Sequence, residues 1–384
     1  MLETPLSLYV HIPWCIKKCS YCDFNSHESR SAIPENEYID ALILDLTRHA
    51  KLVGEREVIS IFIGGGTPSL FSARNIERLL QAIHAQLTLA QNVEVTIEAN
   101  PGTLDLKNFS GFRQIGINRI SIGVQSFNDA HLQTLGRIHS AQTAHNAIAS
   151  AKQAGFENFN IDLMYALPNQ TVAQAAFDIE QAIKQEPTHI SYYQLTLEPN
   201  TYFFNHPPPL PNDEISWDMH IQGSHLLAQH GYQQYEVSAY SKPGFTCAHN
   251  KNYWLFGDYL GLGAGAHQKL SSGKDGAIVR SEKPRHPQQY IRQMNSDELF
   301  KKPQRLTQNE ITFEYLLNAL RLKNGFNHMQ FERHTGLPYE QLQPHIDPLL
   351  KDGLIIAEHQ NIRCSEKGYH FLDDVLQHLL PQEK

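Results

Sequence analysis

The sequence is poor in cysteine, has no long apolar run and carries no excess of basic charge. Five cysteines in 384 residues, an odd number, do not make a disulfide framework, so a reducing cytoplasm is the expected setting. No stretch of 18 apolar residues occurs and the mean hydropathy is −0.41, which excludes a transmembrane helix. Lys+Arg number 32 against 40 Asp+Glu, a net charge of −8. A net acidic chain is a poor general binder of nucleic acid or of an anionic membrane. Met1–Leu8 has neither a basic segment nor an apolar core, so no secretory signal is expected. There is no internal repeat and no low-complexity tract. What is present is globular: 41% hydrophobic residues with 23 glycines, in a length that allows two or three domains at roughly 150 residues each.

The first half alternates strand and helix signals. Apolar, β-branched runs predict strands at Leu6–Ile12, Val58–Ile63, Val93–Glu98, Ile117–Val124, Phe156–Leu163 and Ile190–Leu197. Glu37–Val53 carries Ile39, Leu42, Ile43, Leu46 and Ala50 on one helical face. Ser72 is the N-cap expected for Ala73–Leu87, Ala141–Ala154 ends at Gly155, and Thr171–Gln185 stops before Pro187. Six βα units in succession predict an α/β fold with a parallel sheet and helices outside. It is either an open doubly wound sheet or a whole or partial (β/α) barrel. Strand centres that are apolar at consecutive positions read as strands buried on both faces.

The pattern changes near residue 200. His206–Pro211, with four prolines, is a rigid connector. A helix follows at Asp213–His230, then a strand-like Gln233–Ala239, a Gly-rich segment Gly257–Ala266, and a polar, loop-like Ser271–Pro287. From Thr307 the chain reads as three helices, two short strands around Leu354–Ile356 and Ile362–Cys364, and a last helix Glu366–Leu380. That is the outline of a mostly helical, winged-helix-like domain. Its 10 Lys+Arg against 11 Asp+Glu from residue 301 onward argue against DNA reading. The expected division is 1–205, 206–300 and 301–384.

The strongest chemical signal is Cys15-x3-Cys19-x2-Cys22: three of the five cysteines within eight residues. Thiolates this close in a reducing compartment point to a metal. Zinc takes four protein ligands, and the fourth would be His11 or His27. An iron–sulfur cube held by three cysteines keeps one iron open. The polar neighbours Lys17, Lys18 and Asp23 fit poorly with three packed core thiols. Gly64-Gly65-Gly66-Thr67-Pro68 follows the second strand. It is either a plain tight turn or a loop that lets backbone approach a ligand and offers N–H groups to an anion. Glu98, Gln125, Asp162, Gln194, Thr196 and Glu198 stand at or near the carboxyl ends of predicted strands, the active face of parallel α/β folds.

These motifs in this order resemble the radical S-adenosylmethionine (SAM) superfamily. The stretches Leu8–Cys15, Ile63–Pro68, Glu98–Gly102, Ile122–Phe127 and Leu135–Arg137 resemble its anaerobic coproporphyrinogen oxidase group over nearly the whole chain. The resemblance implies a partial (β/α)6 TIM-type barrel with a C-terminal winged-helix-like domain. It also implies a [4Fe-4S] cluster on Cys15, Cys19 and Cys22, with SAM chelating the fourth iron. By motif, Tyr9, Gly65, Gly66, Thr67, Glu98, Gln125, Arg137 and Asp162 match the SAM-binding positions of the group. Two departures separate this chain from the oxidases: Phe24 replaces a further cysteine two residues after the third, and only five residues precede the first strand. Both match the haem chaperone branch of the group, as does His249-Asn250-Lys251-Asn252-Tyr253-Trp254. There the resemblance implies haem contacts by His249, Asn250, Tyr253 and Trp254. Taken without it, the segment reads as a packed aromatic loop. Cys247, two residues before His249, reads as a small buried residue or, alternatively, a second haem ligand, and Cys364 as a packing residue of a wing-like strand. The implied function is haem binding and transfer to haem proteins of the respiratory chain at the membrane, in the cytoplasm, by a homodimer that binds no nucleic acid. The alternative is oxygen-independent coproporphyrinogen oxidation. No catalytic residue is assigned.

Overall fold

The computed structural model describes residues 4–29, 31–103, 106–272, 276–296 and 303–380. Six central strands are β1 Leu6–Ile12, β2 Val58–Gly65, β3 Leu89–Ala99, β4 Arg119–Gln125, β5 Asn158–Tyr165 and β6 His189–Gln194. Each pairs in parallel with the next. Parallel neighbours need crossovers, and these contain the helices Glu35–Val53, Ala73–Gln86, Leu106–Gln114, Ala141–Gln153 and Val172–Lys184. Local sequence sets their ends. Ser72 Oγ accepts from Asn75 N at 3.3 Å. Thr171 and Gln174 form a reciprocal capping box. Gly155 takes φ 87°, a left-handed exit open to glycine at little cost.

The sheet extends beyond these six strands. Asp258–Leu262 pairs in parallel with β1, and His267–Ser271, Ile278–Glu282 and Gln304–Arg305 continue it antiparallel. On the β6 side, Ala239–Ser241 and Gln233–Glu236 add an antiparallel hairpin. The twelve strands form one open sheet, a partial barrel whose two edges are not paired with each other among the described residues. The structure adds one strand and corrects two readings. The Gly-rich segment contains a seventh parallel strand: a Cβ on Gly261 would stand 2.0 Å from the His267 carbonyl oxygen, so the close hairpin needs glycine within the strand. The polar stretch after Ser271 contains the strand Ile278–Glu282, paired on both sides. The run Gln233–Ala239 is two strands, because the chain reverses at Val237–Ser238.

The two faces of the sheet differ. Leu8, Val10, Ile61, Ile63, Val95, Ile97, Ile120, Ile122, Ile161 and Ile190 are buried in the apolar core that includes the crossover helices. The intervening positions carry Ser7, Ser60, Thr96, Arg119, Asn160 and His189, all buried. Ser7 Oγ and Ser60 Oγ lie 2.7 Å apart. The strands are buried on both faces, as the consecutive apolar positions predict, but one of the two buried faces is polar. Strand alternation with period 2 gives this barrel a polar inner wall.

The C-terminal domain has its own apolar core, including Tyr315, Phe326, Phe331, Leu349 and Ile362. Helices Gln308–Ala319, His328–Thr335 and Gln343–Lys351 pack with a three-stranded antiparallel sheet, a winged-helix arrangement. The single last helix expected splits into Glu366–His370 and Leu372–Gln377, because Phe371 leaves helical geometry at φ −113°, ψ 44°. The expected boundary at 300/301 lies outside the described residues. Among the described residues no helix is long and apolar enough to cross a membrane.

Candidate functional site

β1 runs into the cysteine loop, which is docked by backbone hydrogen bonds. His27 N donates to Pro13 O at 2.6 Å, Ser29 N to Cys15 O at 2.8 Å, and Ser20 N to Leu135 O at 3.2 Å. Asn25 Nδ2 reaches Ala264 O at 3.0 Å. Cys15, Cys19 and Cys22 are free, partly exposed thiols on one cavity of about 480 Å³. Thr67 Oγ1 donates to Cys15 Sγ at 3.4 Å and Arg137 Nη1 to Cys19 Sγ at 3.6 Å, while Cys22 Sγ lies 3.7 Å from Ser26 Oγ. Burial pushes the Cys15 thiol up to about 11 and raises Cys22 as well. Such thiols ionise when a metal takes the place of the proton. The donors around the sulfurs suit thiolates bound to a cluster.

The zinc alternative lacks its fourth ligand. His11 Nε2 donates to Asn25 O at 2.9 Å and its Nδ1 accepts from Tyr9 OH at 2.9 Å, so both ring nitrogens are engaged. His27 Nε2 donates to Arg285 O at 3.3 Å. Among the described residues no three His, Cys, Asp or Glu side chains converge on one ion.

The glycine turn differs from the N–H cradle considered above. Gly65 N donates to Glu98 Oε2 at 2.9 Å, Gly66 N to Ile12 O at 2.8 Å, and Thr67 N to Trp14 O at 2.7 Å. These N–H groups hold the turn against β1 and β3 and are not offered to an anion. The glycines are needed for space. A Cβ on Gly65, at φ 114°, would meet the His11 ring at 2.5 Å, and one on Gly66 would meet Trp14 O at 2.6 Å. Gly66→Ala is expected to cost about 1–3 kcal/mol in denaturant unfolding, as overpacked sites do, and to lower cluster loading. Wild-type stability and loading together would show that the turn has slack.

Strand ends complete the wall. Asp162 on β5 accepts from Asn160 Nδ2 at 2.7 Å and from Ser121 Oγ at 3.2 Å. Gln125 ends β4 at φ 70°, a strained value for a non-glycine residue, and its Oε1 accepts from Tyr193 OH at 2.7 Å. Arg137 follows Gly136, itself left-handed at φ 79°, and donates through Nη2 to Gly123 O at 2.5 Å. Burial pushes the Glu98 carboxyl up to about 8 and raises Asp162. Gly65, Gly66, Thr67, Glu98, Gln125, Arg137 and Asp162 thus share one cavity with the three cysteines. Tyr9 does not: it lines a second chamber, of about 260 Å³, that shares Glu98, Ser121, Asp162, Ser191 and Asn250 with the first.

The segment His249–Trp254 belongs to a helix, Ala248–Trp254, whose N-terminal N–H groups at Ala248 and His249 donate to Glu94 at 3.1 and 3.2 Å. Its spacing has a helical meaning. His249 and Tyr253, four apart, line the inner chamber. Asn250 and Trp254, also four apart, line the large cavity. Some 230 residues of sequence therefore separate groups that the fold places around one cavity. His249 is 2% exposed, and its Nδ1 lies 3.1 Å from Ser60 Oγ. Its Nε2 has no partner among the described residues. Burial and Arg119 lower its pKa to about 3, so the imidazole is neutral. His249 lies on the inner chamber and not on the large cavity.

Several lining residues escaped the sequence reading. Ser121, Asn160 and Ser191 stand on the inner-face register of β4, β5 and β6, and alternation around Asp162 would have found them. Glu236 and Arg321 also line the cavity, and no motif marks either.

Residues 9–181 match the model of the radical SAM superfamily and residues 306–371 that of the HemN C-terminal domain. The chain is 47% identical over 383 residues to the heme chaperone HemW of Haemophilus influenzae, covering 99% of each chain. It is 44% identical to that of Escherichia coli, with 98% and 99% covered. Among solved structures, coproporphyrinogen III oxidase (HemN) from Escherichia coli, a radical SAM enzyme, superimposes with a TM-score of 0.83 at 25% identity, covering 99% of this chain and 91% of the other. On end-to-end identity of this order, the chain belongs to the radical SAM superfamily and, within it, to the haem chaperone HemW family.

Proposed function

We propose that this protein binds haem and hands it to haem-protein acceptors. In this reading it carries a [4Fe-4S] cluster on Cys15, Cys19 and Cys22, with SAM at the open iron. The observation that carries this is the single cavity shared by the three thiols, the half-buried strand-end carboxylates and Asn250 and Trp254 of the helix Ala248–Trp254. When bound, the cluster supplies one-electron chemistry toward SAM. The residues of this chain bind and orient. Glu98 and Asp162 accept from ribose hydroxyls or an amine, Gln125 fixes an amide beside them, and Arg137 faces a carboxylate. Main-chain groups of Gly65, Gly66 and Thr67 meet the methionine end, with Tyr9 behind them. Asn250 and Trp254 offer an amide and an aromatic face to a tetrapyrrole, with His249 and Tyr253 beneath. Haem is planar, apolar and poorly soluble alone, so a carrier shields its faces and releases it on contact. The acceptors in this reading are respiratory haem proteins at the membrane, reached by a cytoplasmic homodimer.

Oxidation of coproporphyrinogen is the rival reading, favoured by the likeness to the oxidase fold. Phe24 weighs against it. It lines the cavity where the oxidases carry a further cysteine. Anaerobically reconstituted protein is expected to retain haem in a titration, to pass it to an apo-acceptor, and to form no product from coproporphyrinogen with SAM and an electron donor. Catalytic turnover without retained haem would promote the rival.

A further inference from the structure

The C-terminal domain places one cation in the cavity. Arg321 follows the helix Gln308–Ala319, and its guanidinium carbon stands 4.3 Å over the Trp254 ring. Nη2 donates to Glu236 Oε2 at 3.2 Å. Tyr369 OH donates to the Arg321 carbonyl at 3.1 Å, and the adjoining Leu322 bridges to Glu236. The segment is thereby fixed to the sheet edge. Two buried donors at this place, Arg321 Nε and Trp254 Nε1, have no hydrogen-bond partner among the described residues. Buried donors left unpaired are costly and are normally satisfied by some acceptor. The other cations lining the cavity are placed differently. Arg137 is held by Gly123 O and Cys19 Sγ, and Lys17 is exposed beside the cysteines.

We propose that Arg321, stacked on Trp254, recognises a carboxylate of the bound tetrapyrrole. Haem carries two propionates, and its macrocycle has the flat face that an indole and a guanidinium plane accept. Glu236 takes an N–H of Nη2, which leaves the Nε–H for an incoming carboxylate, with Trp254 Nε1 as a second donor. This rests on the haem-carrying reading above and adds to it the residue that reads the ligand's charge.

The test uses the full, cluster-loaded chain titrated with ferric haem and with ferric haem whose two propionates are methyl esters. Wild type is expected to bind haem about 10-fold more tightly than the diester, the size of one charge-assisted hydrogen bond. Arg321→Gln should weaken haem binding by about that factor and leave the diester unchanged. Arg321→Lys should fall between the two. The double variant Arg321→Gln, Glu236→Gln avoids stranding a buried carboxylate and should show the same loss of discrimination. Equal binding of both ligands by wild type overturns the assignment, as does undiminished preference in Arg321→Gln. Equal loss of both ligands in the double variant would make Arg321 a structural residue only. Binding of neither ligand by folded wild type would instead remove the haem reading on which the assignment stands.

Discussion

Replacing Cys15, Cys19 or Cys22 by Ala is expected to remove the iron–sulfur cluster altogether, taking iron from about four per chain to near zero and abolishing its visible absorbance. The reason is ligand count. Each thiol is one of three on the cavity, and neither remaining cysteine can replace it. Cys247 is fully buried beside Glu94, with its Sγ 3.5 Å from Glu94 Oε1. Cys364 is buried in the C-terminal domain, 3.7 Å from Leu320 O. Neither lines the cavity. Cys247→Ala and Cys364→Ala should therefore keep full iron. Metal analysis and the absorption spectrum after anaerobic reconstitution decide it. Zinc in place of iron, or full iron in Cys19→Ala, would falsify the assignment.

The second large effect is on SAM. Above about pH 8, where Glu98 is ionised, Glu98→Ala and Asp162→Ala are each expected to weaken SAM binding about 10- to 100-fold with the cluster intact, the loss of a charged acceptor of about 1.5–3 kcal/mol. Glu98 also gives the pH dependence a sign. Its carboxyl is raised to about 8, first by burial and then by neighbouring Asp162, against the Gly65 N–H that stabilises the anion. Below that pH the side chain is mostly neutral and a weaker acceptor. SAM affinity should rise as pH increases through about 8, and Glu98→Gln should flatten that rise. Isothermal titration of the reconstituted protein across this range measures both effects. A pH slope that survives in Glu98→Gln would assign the titration to another group, and unchanged affinity in both alanine variants would move the site elsewhere.

Much of this was legible without coordinates. Six strand–helix units, the capping residues Ser72 and Thr171, and the Gly155 exit follow from short-range chemistry, because periodicity and caps act within one or two turns. The three cysteines needed only their spacing. The seventh parallel strand was hidden because Gly261 and Gly263 obscure a strand pattern. The reason they are glycine, backbone from His267 and His11 within 2.4 Å of a Cβ, exists only once the chain is folded. The polar inner wall was missed because apolar runs were counted without assigning alternate residues to opposite faces. Only the tertiary structure decided that Asn250 and Trp254 share a cavity with Cys15 while His249 lies beneath it, since each i, i+4 pair keeps to one side of the helix and the one-residue offset turns the two pairs to different sides. It alone brought Arg321 to Trp254, through a contact between two separately cored domains that no local pattern encodes. The sequence by itself determined which side chains could hold a cluster; the curvature of the open sheet around a polar interior decided which of them face one another.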